Sequence, residues 1–240
     1  MIDCFVSDID GCLAMPYEPY RLDRITHLER LIHAPGAPAF SICTGRAYAY
    51  TEAVTQMLGV TTPVLFESGG GMFDLNTGLS KLHPRFDLAT RKEIDTIRTF
   101  VEQVVAEYPG MSMDYAKQTQ AAAVGTADQG LYEALARIEA WVRPRYPQHN
   151  VFHTHISIDV VPRGFTKGEG LEWLAEEIGT PVQRMAFIGD SNGDLPAINV
   201  CGRSFAPSNA SAEVKAAVDE ALHVPDIDAV IAAFEASAGR

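Results

Sequence analysis

Positive charge is scarce in this chain of 240 residues: 19 lysines and arginines face 31 aspartates and glutamates, a formal net charge of -12. Broad nucleic-acid surfaces rest on many Lys and Arg contacts to phosphates, so that class is excluded. A small anion held by a few local cations is not. Cysteine is sparse too. Cys4, Cys12, Cys43 and Cys201 form no C-x-x-C pair and no Cys/His zinc spacing, and they read as reduced thiols, three of them in or beside apolar strand-like runs. No apolar run is long enough to span a bilayer, so no membrane role is expected. Asp3, Asp8 and Asp10 occupy the region where a secretory leader is basic and then apolar, and the expectation is a soluble, cytoplasmic protein. Internal repeats and low-complexity tracts are absent. With 47% hydrophobic and 21% charged residues the composition is globular, and the length suits one large domain or a core with an insert.

The stretch Phe5 to Leu13 sets the theme: an apolar run ends in Asp8-Ile9-Asp10-Gly11. Side chains alternate on a strand, so Asp8 and Asp10 would share a face unless the chain bends at Gly11. Two such carboxylates need a cation between them, or one must hold a proton. A plain strand end with an Asp-Gly turn is the alternative at this point. Leu22, Ile25, Leu28, Leu31 and Ile32 then mark a helix face, Ala39 to Cys43 a second strand leading to Thr44-Gly45-Arg46, and a helix reaches Leu58 with Gly59 as its cap. Pro63 to Phe66 is a third strand before Glu67-Ser68-Gly69-Gly70-Gly71, and a hairpin turns at Asn76-Thr77-Gly78. This alternation predicts a parallel sheet whose site lies beyond the carboxyl ends of its strands.

The pattern changes from about residue 82 to 161, where two amphipathic helices and four short strands read as an α+β insert. From Pro162 the first pattern resumes, through Thr166-Lys167-Gly168, the strand Arg184 to Ile188 and Gly189-Asp190-Ser191-Asn192-Gly193-Asp194. The expected division is therefore core 1–81, insert 82–161 and core 162–240.

These motifs, Asp8-Ile9-Asp10-Gly11, Thr44 after its strand, Lys167, and Gly189-Asp190 with Asp194, occur in the order that resembles haloacid dehalogenase-superfamily phosphohydrolases. The insert stands where the family carries a type-2 cap, similar in size to that of sucrose-phosphate, mannosyl-phosphoglycerate and archaeal phosphoglycolate phosphatases. The resemblance implies an α/β, Rossmann-like parallel-sheet core with an inserted α+β cap. It implies a Mg²⁺-dependent phosphatase for a small sugar phosphate or phosphorylated carboxylic acid, working as a monomer or small homo-oligomer. A phosphomutase of the phosphomannomutase type and a catalytically weak phosphometabolite-binding protein are the alternatives.

By the same resemblance Asp8 is the nucleophile that becomes aspartyl-phosphate, and Asp10 the general acid and then base, protonated at the first step. Lys167 and Thr44 hold the transferring phosphoryl group. Mg²⁺ is assigned to Asp8, the Asp10 carbonyl and Asp190, with Asp194 acting behind them or through water. Gly45, Arg46, Ser68, Gly69, Gly70 and Asn209 are the substrate-binding candidates. In the insert, Lys117, His153 and His155 read first as solvated strand residues and second as contacts to an anionic or hydroxyl-rich group. The chain departs from the family at Cys12, where Thr is usual, at Gly193, where Asn or Asp is commoner, and at Ser68, often Asn. Cys12, beside a catalytic carboxylate, is also a candidate for inhibitory oxidation, slowed by its anionic surroundings.

Overall fold

The structure, a computed structural model, describes residues 2–154 and 156–239. It divides into two compact units, Met1–Lys81 with Thr166–Arg240, and Leu82–Phe165. In chain order the elements are β1 (Cys4–Ser7), α1 (Leu22–Ile32), β2 (Ala39–Ile42), α2 (Tyr48–Leu58), β3 (Val64–Phe66), β4 (Gly71–Asp74), β5 (Leu79–Leu82), α3 (Leu88–Val105), β6 (Ser112–Met113), β7 (Ala121–Val124), α4 (Leu131–Arg145), β8 (His149–His153) and β9 (Ser157–Pro162). There follow α5 (Lys167–Ile178), β10 (Met185–Ile188), α6 (Leu195–Val200), β11 (Arg203–Ala206), α7 (Ala212–Ala217), β12 (Glu220–Ala221) and α8 (Asp226–Ser237).

The first unit is built on a five-stranded sheet of order β12-β11-β10-β1-β2, parallel throughout. Strands covered on both faces read as continuous apolar runs, which is why Cys4-Phe5-Val6 and Met185-Ala186-Phe187-Ile188 are wholly buried. The ring of Phe5 lies 5.8 Å from Phe40 and 5.5 Å from Phe234 of α8. Burying each such ring stabilises the core by about 1.5–3 kcal/mol. β1 lies between β10 and β2, so three neighbouring strand ends open side by side.

The third predicted strand behaves differently. Among the described residues Val64–Phe66 is joined to the parallel sheet by a single bridge, Cys43 to Leu65, and belongs to a three-stranded sheet of order β3-β4-β5. The cause is the sharp reversal after Phe66: Glu67 and Ser68 both have positive φ, 50° and 57°, and the returning β4 pairs antiparallel with β3. The hairpin from β4 to β5 turns where the sequence places it, with Gly78 at φ 68°.

In the second unit α3 and α4 cover a four-stranded antiparallel sheet, β6-β7-β9-β8, with Ile94, Ile97, Val101, Leu131, Ile138, Ile158 and Val160 in its core. Phe100 and Trp141 stack at 4.1 Å between the two helices. The unit runs past the expected Val161 to Phe165, because Phe165 packs on His83 and Phe86 and so belongs to this core. β12, two exposed residues, has no apolar pattern that predicts it.

Candidate active site

β1 ends at Ser7, and the chain turns back on itself directly beyond it: Ala14 and Cys12 donate their amides to the Ile9 carbonyl, and Gly11 donates to Ala14. Gly11 adopts φ 70°, and a Cβ there would stand 2.1 Å from Oδ2 of Asp190. Glycine is thus required for both the turn and the close approach of Asp190. The bend separates the two carboxylates of the motif. Asp8 is buried, with Oδ1 accepting the Ile9 amide at 2.7 Å, whereas Asp10 is partly exposed on the outer limb of the loop.

Lys167 reaches this point from the first turn of α5. The helix is started by Thr166 and Glu169, whose side chains and amides exchange hydrogen bonds as a capping box. The Lys167 Nζ lies 2.7 Å from Asp8 Oδ2 and 2.5 Å from Asp194 Oδ1, with all three groups buried. The other oxygen of Asp194 accepts the amides of Asp190 and Ser191 and the Ser191 hydroxyl. Asp194 therefore holds Lys167 on one side and the Asp190 loop on the other.

One carboxylate oxygen from each of Asp8, Asp190 and Asp194 falls within 4.8 Å of the others. Asp190 has no ion-pair partner among the described residues. Burial, followed by repulsion from Asp194, pushes its carboxyl up to about 7. Asp8 is raised as well, chiefly by burial, against the pull of Lys167. A hard, oxygen-only donor set short of positive charge fits a hard divalent cation. Asp190 is the least engaged donor, since both oxygens of Asp8 and both of Asp194 already take a hydrogen bond or an ion pair.

Asp10 is fixed by a different cation. Arg46 donates from Nε to Asp10 Oδ2 and from Nη2 to Oδ1, both at 2.6 Å, in a bidentate fork. Thr44, wholly buried after β2, accepts the Arg46 amide through Oγ1 at 3.2 Å. The Glu67-Ser68 turn is anchored to the same segment, as Ser68 donates its amide to Thr44 and Glu67 to Arg46. The two residues in left-handed conformation cost about 1–2 kcal/mol each, and they hold Thr44, Gly45 and Arg46 beside Asp8 and Asp10. Ser68 stays half-buried with its hydroxyl facing Gly45.

Residues 117–234 match the family model described as haloacid dehalogenase-like hydrolase. Phosphoglycolate phosphatases of Thermoplasma volcanium and Halorubrum lacusprofundi are 24% and 26% identical, over 91% of this chain and 91% and 90% of theirs. A solved Thermoplasma acidophilum protein superposes with a TM-score of 0.81 at 20% identity, over 99% of this chain and 98% of that one. The sucrose-phosphatase of Synechocystis, solved with sucrose and phosphate, does so at 0.72 and 13% identity, over 99% and 98%. These two likenesses establish the fold. The chain is similar to haloacid dehalogenase-like hydrolases over residues 117–234 and to phosphoglycolate phosphatases over most of its length.

Several expected substrate contacts are occupied by the protein itself. Gly69, at φ 91°, packs directly on α5, where a Cβ would meet the Gly170 Cα at 2.7 Å, and Gly70 is buried beside it. Gly69 thus serves the packing of this turn on α5. Asn209 donates to the Gly11 carbonyl at 2.8 Å and accepts the Asp226 amide at 2.9 Å, so its amide ties the loop after β1 to the start of α8. In the second unit Lys117 is paired with Asp159 and also donates to Gln120, and the His153 ring meets Tyr132 edge-on. His155 lies outside the described residues.

Cys12 is wholly buried, its thiol donates toward the Ile188 carbonyl, and burial together with Asp190 and Asp8 raises it well above the usual thiol range. A buried neutral thiol is a poor target, which removes it as an oxidation site. A side chain at Gly193 would meet only the Ser191 hydroxyl, at 3.6 Å, so this departure leaves the Asp190 and Asp194 geometry untouched. Sequence reasoning missed Tyr17, Tyr20 and Tyr50 around Arg46, although Tyr50 follows Arg46 at helical i+4 spacing.

Proposed function

We propose that this protein is a Mg²⁺-dependent phosphatase that hydrolyses a small phosphorylated carboxylic acid or sugar phosphate through an aspartyl-phosphate on Asp8. The observation that carries the reading is the contact of buried Asp8 with Lys167 at 2.7 Å, beside the Asp190 and Asp194 carboxylates at the end of β1. Lys167 holds the nucleophile and can share its charge with an incoming phosphoryl group. An oxygen of Asp8 attacks phosphorus as the bond to the leaving oxygen breaks. Asp10 gives that oxygen a proton, then takes one from the water that attacks the phosphoenzyme and frees Asp8. The Thr44 hydroxyl and the backbone amides near Gly45 are suited to hold phosphoryl oxygens.

Asp8, Asp190 and the Asp10 carbonyl would hold Mg²⁺, with Asp194 behind them; when bound it neutralises the carboxylates and draws charge from the phosphoryl oxygens. The full-length relatives named phosphoglycolate phosphatase favour the phosphorylated acid, and the sucrose-phosphatase neighbour keeps sugar phosphates in view. Cytoplasmic location and a monomeric or small homo-oligomeric state complete the proposal. No helix among the described residues is long and apolar enough to cross a membrane.

The test is phosphate release from a panel containing phosphoglycolate and hexose phosphates, with Mg²⁺ and with chelator. Metal-dependent release from one class and not from the Asp8→Asn variant is expected. Release unaffected by chelation, or full release by the variant, would contradict the reading.

A further inference from the structure

The mechanism leaves unexplained a group of three tyrosines beside Asp10. The short excursion after the catalytic loop, Met15 to Tyr20, places the Tyr17 ring 5.4 Å from the Arg46 guanidinium carbon, and α2 places the Tyr50 ring 4.8 Å from it. The Tyr50 hydroxyl is tied to the Tyr20 hydroxyl at 3.0 Å, which fixes the second ring. Tyr17 is the unusual member. It is 72% exposed, so hydrophobic burial does not account for it, and its φ of 63° is one that a bulky aromatic residue rarely adopts. A strained backbone carrying an exposed ring needs a use to explain it. What it delivers is a π face to Arg46, an attraction suited to a planar guanidinium.

Arg46 in turn occupies both oxygens of Asp10 with one hydrogen bond each, which fixes the plane of the carboxyl group and leaves a free lone pair on each oxygen. The three layers, rings, guanidinium and carboxylate, all lie within the first unit. We propose that Tyr17 and Tyr50 are positioning residues: their rings hold the Arg46 fork, and the fork aims Asp10 at the oxygen of the departing group. The inference rests on Asp10 acting as the general acid in the reading above. The proton moves from the Asp10 carboxyl to the leaving alkoxide as the phosphorus–oxygen bond breaks, and the electron pair of that bond stays on the oxygen.

The demand on Asp10 depends on the leaving group. An alkoxide needs the proton, whereas a nitrophenolate departs without it. Steady-state kinetics on an alkyl phosphate and on p-nitrophenyl phosphate, with Mg²⁺, therefore separate aim from fold. Tyr17→Gly removes the ring and relieves the positive φ at an exposed position, so its thermal midpoint is expected to equal or exceed that of the unmodified protein. Its turnover is expected to fall roughly tenfold more on the alkyl ester than on the aryl ester, a fraction of the 10²–10⁴ a general acid supplies. Tyr17→Phe, which keeps the ring, restores the ratio. Arg46→Lys, which cannot form the fork, shows the same selective loss.

Equal losses on the two esters, or a rise in KM at unchanged turnover, would overturn the proposal, the second by making Tyr17 a substrate contact. If the unmodified protein hydrolyses neither ester, the phosphatase chemistry itself fails and the positioning role falls with it.

Discussion

The contact of Asp8 with Lys167 turns a cluster of acids into a usable site, because one buried ammonium serves both Asp8 and Asp194. Removing it leaves two carboxylates without their cation in a medium that solvates them poorly. Lys167→Ala is expected to lower stability by roughly 3–5 kcal/mol and to abolish phosphate release, as measured by denaturant melts and by a phosphate assay. A variant as stable and active as the parent would remove Lys167 from the site. Asp8, Thr44, Lys167, Asp190 and Asp194 were legible in the sequence because each stands where an apolar run stops or a helix begins, and their order carried the resemblance. The fork from Arg46 to Asp10 and the tyrosines around it were not. That geometry depends on where the Met15 to Tyr20 excursion folds back, and no spacing rule encodes it.

Among the elements, the proposed mechanism depends most on α5, since its first residue is Lys167. Its position is set by the glycine contact between Gly69 and Gly170, which admits no side chain on the Gly69 side. Gly69→Ala is expected to cost roughly 1–3 kcal/mol by overpacking, with a loss of turnover as Lys167 is displaced from Asp8; thermal melts and kinetics on the same sample read both. Gly78→Ala, also at positive φ but with nothing near its Cβ, would cost stability alone. The second unit has its own titration. His149 on β8 is buried, with Nε2 3.1 Å from Glu93, and burial lowers its pKa despite that carboxylate. The unfolded chain then takes up a proton first, so this contribution is complete above the ordinary histidine value, about 6.5, and is lost as pH falls below it. The difference in melting temperature between the unmodified protein and His149→Phe, followed from pH 8 to 5, is expected to change in that window; a constant difference would contradict the assignment. Helix and strand periodicity made most of these elements visible in advance. It also found β3, but not that a reversal through Glu67 and Ser68 sends the chain into a second sheet, and it missed β12, which is exposed and only a pair of residues long.

For the whole molecule, the site is where four carboxylates, Asp8, Asp10, Asp190 and Asp194, meet two cations, Arg46 and Lys167. Asp8 and Asp190 are raised in the folded state, Asp190 to about 7, so the metal-free fold binds more protons than the unfolded chain above the ordinary carboxylate range. Stability from these groups is complete below about pH 4 and declines as pH rises through about 7. A divalent cation bound by the carboxylates reverses the penalty, and its stabilisation should therefore grow with pH. Thermal melts with Mg²⁺ and with chelator at pH 5 and pH 8 are expected to show a larger shift at pH 8; equal or opposite shifts would speak against the proposed metal site. The insert was legible as a unit because its helix and strand order breaks the βα alternation, and its edge was misjudged because Phe165 joins that core after the last strand has ended.

The central claim is that Asp8 carries the phosphoryl group. In the Asp10→Asn variant an aryl phosphate can still load Asp8, because its leaving group needs no proton, whereas water attack on the phosphoenzyme is slowed. Acid quench after mixing this variant with p-nitrophenyl phosphate and Mg²⁺, followed by peptide mass spectrometry, measures the result directly. The account predicts a base-labile phosphoryl group on the peptide containing Asp8. Phosphate on another residue, or none despite a burst of released nitrophenol, would contradict it.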